Sequence, residues 1–228
     1  MKYEILLFDI DDTLVDFAKA EEKALHITFS AHKIPLNDEI FQSYKLINQN
    51  LWNEFELGKT TKEILTVERF QTLEKKYSLQ FDAENINREY LNNLACNCVL
   101  FDGAYEFIKK ASADFKIHII TNGIAYTQKK KLATVNISEF IGQVITSEEA
   151  GANKPSSEFF EYAFEKIRIK DKSKCLVVGD SLTADIEGAV AFGIDCCWFN
   201  PKCQKDLTGI SPTYEAKNYE EISKIIYQ

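Results

Sequence analysis

The sequence is poor in the residues that mark fibrous, disulfide-linked and thiolate-bound metal proteins. Its 228 residues include 9 glycines, 4 prolines and 3 histidines, and its six cysteines form no Cys-x-x-Cys pair. So little glycine and proline excludes a collagen-like or low-complexity chain. Without metal-ligand spacing among the cysteines and histidines, we expect reduced, mostly buried thiols rather than a zinc site or disulfides. Active-site chemistry must then depend mainly on carboxylates, lysine and hydroxyl groups.

Long apolar segments and excess positive charge are also lacking. No stretch approaches the roughly 18 apolar residues of a membrane span, and the first apolar run, 5–8, is too short for a signal peptide. The formal net charge is −8, which argues against a nucleic-acid polymer or a membrane as partner. We therefore expect a cytoplasmic protein. A small phosphorylated metabolite stays compatible, because a bound cation can invert the charge of a pocket. The composition does not distinguish a monomer from a homodimer.

Short apolar runs alternate with helical patterns in the last 130 or so residues and at the start. Such nearly continuous apolar runs suit strands buried on both faces, as in a parallel sheet. Strand alternating with helix predicts a doubly wound α/β fold. The predicted strands are 5–8, 116–120, 143–145, 175–178 and 196–199, and the helices between them are 104–113, 125–135, 157–167 and 186–192.

Residues 16–96 break this rhythm and predict four consecutive helices, at 17–32, 38–55, 61–77 and 83–94. Thr60 followed by Glu63 resembles a capping box, and Gly58 is placed to end the second helix. Asn218 is the expected N-cap of a last helix. We expect a core domain formed by 1–15 and 97–228, with 16–96 inserted as an all-helical cap domain over the sheet.

Two pairs of acids follow predicted buried strands. Asp9 and Asp11 lie two residues apart, which in extended chain puts both carboxylates on one side. Asp180 follows the strand at 175–178, and Asp185 lies about one turn further on. Carboxylates about 4 Å apart repel by about 4 kcal/mol at an effective dielectric of 20, so a cation or a proton must compensate. Oxygen ligands of this kind suit Mg²⁺.

Two further polar groups follow strands. Thr121-Asn122-Gly123 offers a hydroxyl and an amide that can hydrogen-bond phosphate oxygens, although the same residues also suit an N-cap turn. Lys154 precedes Pro155, which is favoured in the first turn of a helix, and its ammonium could neutralise phosphate charge. Each signal is weak alone, and their order along the chain is what makes the set specific.

That order resembles the haloacid dehalogenase-like (HAD) hydrolase superfamily in all four motifs and over the whole chain, and it implies a Rossmann-like core. The resemblance implies that Asp9 is the nucleophile that becomes phosphorylated and that Asp11 is the general acid and base. It also implies that Lys154 stabilises charge, with Thr121 and Asn122 binding phosphate.

The implied cofactor is Mg²⁺, held by Asp9, the backbone carbonyl of Asp11 and Asp180. Asp185 would act on the metal through water or orient Asp180. An acid at the position of Asp11 is associated in this superfamily with phosphoryl transfer, so the resemblance favours a phosphatase over a dehalogenase.

Residues 51–58, Thr60-Thr61 and 179–186 further resemble the pyrimidine 5′-nucleotidase branch, which dephosphorylates nucleoside monophosphates. Trp52 and Phe55 either stack on a base or pack within the helical cap. One alternative is a sugar-phosphate phosphatase or phosphomutase with the same catalytic residues. A remote alternative is a receiver signalling module, but receivers are shorter and lack an 80-residue helical insert.

Overall fold

A computed structural model describes all 228 residues, and they form two compact units. The core comprises residues 1–17 and 99–228, and the helical insert comprises residues 18–98. The core strands are β1 (Ile5–Phe8), β2 (Lys116–Thr121), β3 (Ile141–Thr146), β4 (Cys175–Gly179), β5 (Asp195–Phe199) and β6 (Tyr214–Ala216). The helices are α1 (Phe17–Ala31), α2 (Asp38–Glu56), α3 (Lys62–Tyr77), α4 (Ala83–Cys96), α5 (Ala104–Ala111), α6 (Ala125–Thr134), α7 (Ser147–Ala150), α8 (Ser157–Ile167), α9 (Glu187–Phe192) and α10 (Tyr219–Ile226).

All six strands pair in parallel, in the order β3-β2-β1-β4-β5-β6. The chain builds β2 and β3 on one side of β1 and the other three strands on the opposite side. The order of the sheet therefore reverses between β1 and β4. Open α/β sheets bind ligands at the carboxyl edge beside such a reversal. The predicted fold class, a doubly wound parallel sheet with an inserted helical domain, is confirmed.

Helices cover both faces of the sheet, which is why the central strands are apolar throughout. On one face Phe159 and Phe160 of α8 are fully buried in a cluster with Leu7 and Val177. On the other face the ring of Phe8 lies 5.8 Å from that of Phe107 in α5. The strands are thus held firmly, and their carboxyl ends present side chains from fixed positions.

The helical insert has its own aromatic core. The ring of Phe70 lies 5.4 Å from that of Tyr44 and 5.5 Å from that of Tyr90. Arg69 is buried beside them and donates to the side-chain oxygens of Asn48 and Asn87, each at 3.0 Å. A buried guanidinium needs such partners, because an unpaired buried charge is costly. No helix of the chain combines the length and apolar character required to cross a membrane.

The two chain connections of the insert meet within the core. The N–H of Asp16 donates to the carbonyl of Val99 at 3.0 Å, and the N–H of Phe101 donates to the carbonyl of Leu14 at 2.9 Å. The chain therefore leaves the core and returns to it at adjacent, hydrogen-bonded points.

Several predicted helix ends are confirmed. Gly58 adopts a φ of +68° just beyond α2, a conformation that glycine tolerates best. Asn218 caps α10 by accepting from the N–H of Glu221 at 2.9 Å.

The six cysteines are all free, and four of them are buried.

Two local predictions are wrong, and a third is confirmed with an addition. The N-cap of α3 is Thr61 rather than Thr60, and its side chain makes no capping hydrogen bond. Pro155 does not lie in the first turn of α8, because Ser156 caps that helix by accepting from Phe159; the Lys154–Pro155 bond is cis. The helix predicted at 186–192 is confirmed as α9, and a π turn over Leu182–Ile186 precedes it.

Candidate active site

The carboxyl edge of the sheet gathers the predicted residues of the core. Asp9 follows β1, Thr121 ends β2 and Asp180 follows β4. Lys154 lies in the loop between α7 and α8. Because the strands are parallel and neighbouring, residues that are more than 100 positions apart in sequence converge at one place.

Asp9 is buried, with only 8% of its surface exposed. Its N–H donates to the carbonyl of Val178 at 2.9 Å, which continues the pairing of β1 with β4 beyond the strand. Its Oδ1 accepts a hydrogen bond from Nζ of Lys154 at 2.8 Å. No protein group donates to Oδ2, so one carboxylate oxygen is held and the other is available.

Lys154 reaches into the same buried space. Its Nζ donates to Oδ1 of Asp185 at 2.5 Å and to the carbonyl of Ile120 at 3.0 Å, in addition to Asp9. Burial alone would lower the pKa of Lys154, but the charges of Asp185 and Asp9 outweigh it and raise that pKa above its ordinary value. The lysine is therefore a fixed positive charge beside Asp9.

Asp9, Asp180 and Asp185 form a compact carboxylate cluster, with one oxygen of each lying within 4.8 Å of the others. Oδ1 of Asp180 accepts from the hydroxyl of Thr13 at 3.3 Å. Both oxygens of Asp185 are occupied, since Lys154 binds Oδ1 and the N–H of Ser181 donates to Oδ2 at 3.2 Å. Asp185 thus holds Lys154 and the loop after β4, while Asp9 and Asp180 each keep an oxygen without a protein donor.

This cluster carries more negative charge than the protein neutralises. Burial raises the pKa of Asp9 to about 7, although Lys154 opposes the shift. Burial and then the charges of Asp9 and Asp185 raise the pKa of Asp180 well above its ordinary value. When all three carboxylates are ionised they face one ammonium, so a proton or a cation must compensate the remaining negative charge.

The chemistry of these donors fits a divalent cation, and oxygen-only ligands suit Mg²⁺. Asp9 and Asp180 would hold the ion through their unoccupied oxygens. The backbone carbonyl of Asp11 suits the third position, because no backbone N–H donates to it. A bound cation would also oppose the burial and the charge repulsion that raise both pKa values.

Thr121 has a hydroxyl whose acceptor capacity is filled. The N–H of Gly123 and Nε2 of Gln128 both donate to its Oγ1, each at 3.0 Å. A hydroxyl has two acceptor lone pairs and one proton. The proton of Thr121 is therefore directed away from these two donors, as a group that binds an anion requires.

The side chain of Asn122 is bonded to the loop that carries Lys154. Its Oδ1 accepts from the N–H of Lys154 at 2.8 Å, and its Nδ2 donates to the carbonyl of Lys154 at 2.9 Å. Both ends of the amide are thus engaged on one residue of another loop. The side chain therefore fixes the backbone of Lys154, and phosphate binding by Asn122 stays a prediction.

Two residues of α6 that the sequence did not single out contact Asp11. Nζ of Lys131 lies 2.5 Å from Oδ1 of Asp11, and Nε2 of Gln128 donates to Oδ2 at 2.8 Å. Both side chains are buried. In the sequence they lie in an ordinary polar helix with three consecutive lysines. The one feature that could have pointed to them is their spacing of three residues, which places both on the same face of the helix.

The predicted cap residues, Trp52 and Phe55, lie in α2 of the insert. Their rings meet edge to face with centroids 5.6 Å apart, and both are half-buried. They stand outside the buried aromatic core of the insert around Phe70. Their contact with a base stays a prediction.

The fold and the carboxylate cluster define a class of enzyme, and the chain matches that class directly. It matches the haloacid dehalogenase-like hydrolase family over residues 3–193. The chain therefore belongs to this family of hydrolases, and both the predicted resemblance and the predicted hydrolase class are confirmed.

Two relatives align with nearly the whole chain. The HAD hydrolase YfnB of Bacillus subtilis is 39% identical over 225 residues, covering 99% of this chain and 96% of its own. The pyrimidine 5′-nucleotidase PynA of Streptococcus pneumoniae is 33% identical over 223 residues, covering 97% and 94%. A crystal structure of B. subtilis YfnB bound to magnesium covers 100% of both chains with a TM-score of 0.93 at 38% identity.

A 2-haloacid dehalogenase of Pseudomonas syringae pv. Tomato DC3000 has a TM-score of 0.72 at 22% identity, covering 99% of this chain and 98% of its own. At that identity the likeness extends to the fold alone. The fold therefore does not distinguish a dehalogenase from a phosphatase. That distinction depends on the residues of the site.

Proposed function

We propose that this enzyme is a Mg²⁺-dependent phosphatase that hydrolyses a nucleoside 5′-monophosphate through a phosphorylated Asp9. The observation that carries the proposal is the buried Asp9 carboxylate, held by Lys154 at 2.8 Å within a cluster of three acids. A second carboxylate, that of Asp11, follows two residues later. A phosphatase needs both groups, one to attack phosphorus and one to move protons.

In the first step an oxygen of Asp9 attacks phosphorus, and the bond from phosphorus to the alcohol oxygen breaks. Asp11 gives its proton to the departing alkoxide, which leaves as the alcohol. Lys154 lowers the repulsion between the Asp9 carboxylate and the phosphate dianion, and the Thr121 hydroxyl donates to a phosphate oxygen. Bound Mg²⁺ would supply further positive charge beside the phosphate.

In the second step water attacks the phosphorus of the acyl phosphate, and Asp11 takes the proton that the water loses. The bond from phosphorus to Asp9 breaks, which restores the Asp9 carboxylate and releases inorganic phosphate. Asp11 is protonated again, so both acids return to their starting states.

The substrate class is supported by the pyrimidine 5′-nucleotidase PynA, which is similar over nearly the whole chain. Trp52 and Phe55 offer half-buried aromatic surface of the kind that stacks on a base. The alternative is a sugar-phosphate phosphatase or phosphomutase, which would use the same catalytic residues.

The test is phosphate release from a panel of nucleoside monophosphates and sugar phosphates, with Mg²⁺ and with excess EDTA. We expect the highest kcat/KM on a pyrimidine nucleotide and loss of activity in EDTA. Preference for a sugar phosphate over every nucleotide would contradict the substrate class alone.

The nucleophile is tested by Asp9→Asn, which keeps the shape of the side chain and removes its charge, with Asp12→Asn as the matched control. Asp9→Asn should lose activity by at least about a thousandfold, in line with removal of a nucleophile, and Asp12→Asn should retain it. Borohydride reduction of quenched enzyme converts an acyl phosphate to an alcohol and releases phosphate, so peptide mass spectrometry should find homoserine at position 9. Full activity of Asp9→Asn would refute the mechanism.

A further inference from the structure

Both carboxylate oxygens of Asp11 accept hydrogen bonds from side chains of one helix, α6. Lys131 holds Oδ1 at 2.5 Å and Gln128 holds Oδ2 at 2.8 Å, and both residues project from the same face of α6. A carboxylate bound at one oxygen can still rotate about its side-chain bonds. Contacts at both oxygens, from side chains one helical turn apart, fix its orientation.

The two side chains that make these contacts are themselves buried. The Lys131 side chain is 2% exposed and Gln128 is fully buried. Burial of a lysine is rare unless its charge is paired, because desolvation is costly. The Lys131 ammonium also lies over the Phe17 ring, 5.3 Å from its centre, in a cation–π contact. The charge of Lys131 therefore lies in the interior, with Asp11 as an acidic partner at hydrogen-bond distance.

Gln128 connects Asp11 to Thr121. Its Nε2 has two hydrogens and donates to Oδ2 of Asp11 and to Oγ1 of Thr121. The amide therefore fixes the distance between the Asp11 carboxylate and the Thr121 hydroxyl at the end of β2. The φ of Gly123 is one that any residue can adopt. A Cβ at this position, however, would lie 2.0 Å from Nε2 of Gln128. Gly123 leaves the space that this amide occupies.

We infer that Gln128 and Lys131 are positioning residues that hold the Asp11 carboxylate for proton transfer and keep it in register with Thr121. The inference rests on the proposed role of Asp11 and adds two residues to it. Neither side chain is proposed to touch the substrate; both act through the Asp11 carboxylate. A displacement of about 1 Å in a catalytic group can cost about a hundredfold in rate, so such positioning has measurable consequences.

The test uses two substrates that differ in their need for a proton. A nucleoside monophosphate releases a basic alkoxide and requires protonation, whereas p-nitrophenyl phosphate releases a phenolate that does not. Lys131→Met and Gln128→Met keep the side-chain length and remove the polar contact. We expect each to lower kcat on the nucleotide at least tenfold more than on p-nitrophenyl phosphate, with KM changed less than about threefold.

Three controls separate positioning from general damage. Lys129→Met, on the exposed face of the same helix, should behave as wild type, and Lys131→Arg should recover most of the nucleotide activity. In an Asp11→Asn background, Lys131→Met should cause little further loss, because the contact it removes acts through Asp11. Gln128→Met also removes a buried Oε1 that has no hydrogen-bond partner, so this variant should fold even if Lys131→Met does not.

Equal losses on both substrates, a change confined to KM, or additive losses in the double variant would overturn the inference. Failure of the proposed function is distinguishable from this. If wild type releases no phosphate, or if Asp11→Asn retains full activity, the role of Asp11 itself is refuted. If Asp11→Asn is impaired while both methionine variants equal wild type, only the positioning role is refuted.

Discussion

The side-chain amide of Asn122 makes two hydrogen bonds to the backbone of Lys154, one to its N–H at 2.8 Å and one to its carbonyl at 2.9 Å. The two residues are 32 positions apart and follow different strands. Through this pair, the loop after β2 sets the position of the lysine that contacts Asp9. A polar side chain of the candidate site can thus act by holding another residue in place.

Replacing Asn122 by alanine should release the Lys154 backbone and lower kcat by roughly tenfold to a hundredfold through misplacement of the ammonium. Steady-state kinetics of Asn122→Ala would measure this, with Asn153→Ala as the control, because Asn153 donates only one longer bond, of 3.3 Å, to the same carbonyl. If Asn122 instead served mainly as a phosphate ligand, its loss would raise KM and leave kcat nearly unchanged.

Metal binding should depend on pH through the buried carboxylates. The folded pKa of Asp9, about 7, lies above its unfolded value. The stability contributed by this group is therefore present below about pH 4 and lost as pH rises through about 7. Mg²⁺ should restore it by pairing with the ionised carboxylates.

Thermal unfolding at pH 5.5 and pH 8, with and without Mg²⁺, measures this effect. At 100 times Kd a ligand stabilises by about 2.7 kcal/mol, which for a chain of this size corresponds to roughly 5–10 °C. We expect that increase at pH 8 and a clearly smaller one at pH 5.5, where protons compete. Asp180→Asn should raise the melting temperature without metal at pH 8 and abolish the Mg²⁺ response, while NaCl of equal ionic strength should not reproduce it. Equal Mg²⁺ shifts at both pH values would contradict the prediction.

Gly179 should not tolerate a side chain, because a Cβ there would lie 2.3 Å from Cγ of Asp185. Gly179→Ala would push Asp185 away from Lys154 and the Ser181 N–H, leaving a buried lysine with one acidic partner fewer. We expect a loss of activity of at least about tenfold and a lower free energy of unfolding, by about 1–3 kcal/mol as for other overpacked sites. The control is Gly209→Ala, where nothing lies within 4 Å of the added Cβ. Wild-type kinetics in Gly179→Ala would show that Asp185 can move without consequence.

His118 should make the fold sensitive to mild acid. Burial, and secondarily Lys116, lowers the pKa of His118 to about 4, below its unfolded value of about 6.5. The folded state therefore binds fewer protons, and stability falls as pH drops from about 6.5 to about 4, by about 3 kcal/mol at most.

Urea unfolding between pH 4 and pH 7 tests this, comparing wild type with His118→Leu. The variant should lose less stability than wild type over that range, whereas His26→Asn, at an exposed position, should follow wild type. Parallel pH curves for wild type and His118→Leu would exclude His118 as the cause.

The sequence predicted those parts of the molecule that local chemistry determines. Apolar runs gave five of the six strands, and helical periodicity gave the four helices of the insert to within about two residues at each end. The exception among the strands is β6, Tyr214–Ala216, which has three residues and no apolar run. It is a strand because β5 pairs with it, which no local pattern reveals.

The candidate site was predictable to the extent that its residues follow strands. Asp9, Thr121 and Asp180 each come at or directly after a strand end, so sequence order places them on one edge. Gln128 and Lys131 lie on a helix, where buried polar residues look like solvent-exposed ones until the partner is known. Asn122 lies at a strand end too, but what its amide binds depends on the path of a loop that sequence does not specify.

The hydrogen bonds joining Asp16 to Val99 and Leu14 to Phe101 have a consequence for how the enzyme can be altered. Because both ends of the insert are tied together by the core, the entropy of closing that chain segment changes only slowly with its length. Residues 18–98 could therefore be exchanged for a longer, shorter or unrelated segment at little cost to the sheet. The core can therefore keep its catalytic residues while the sequence and length of the inserted segment change.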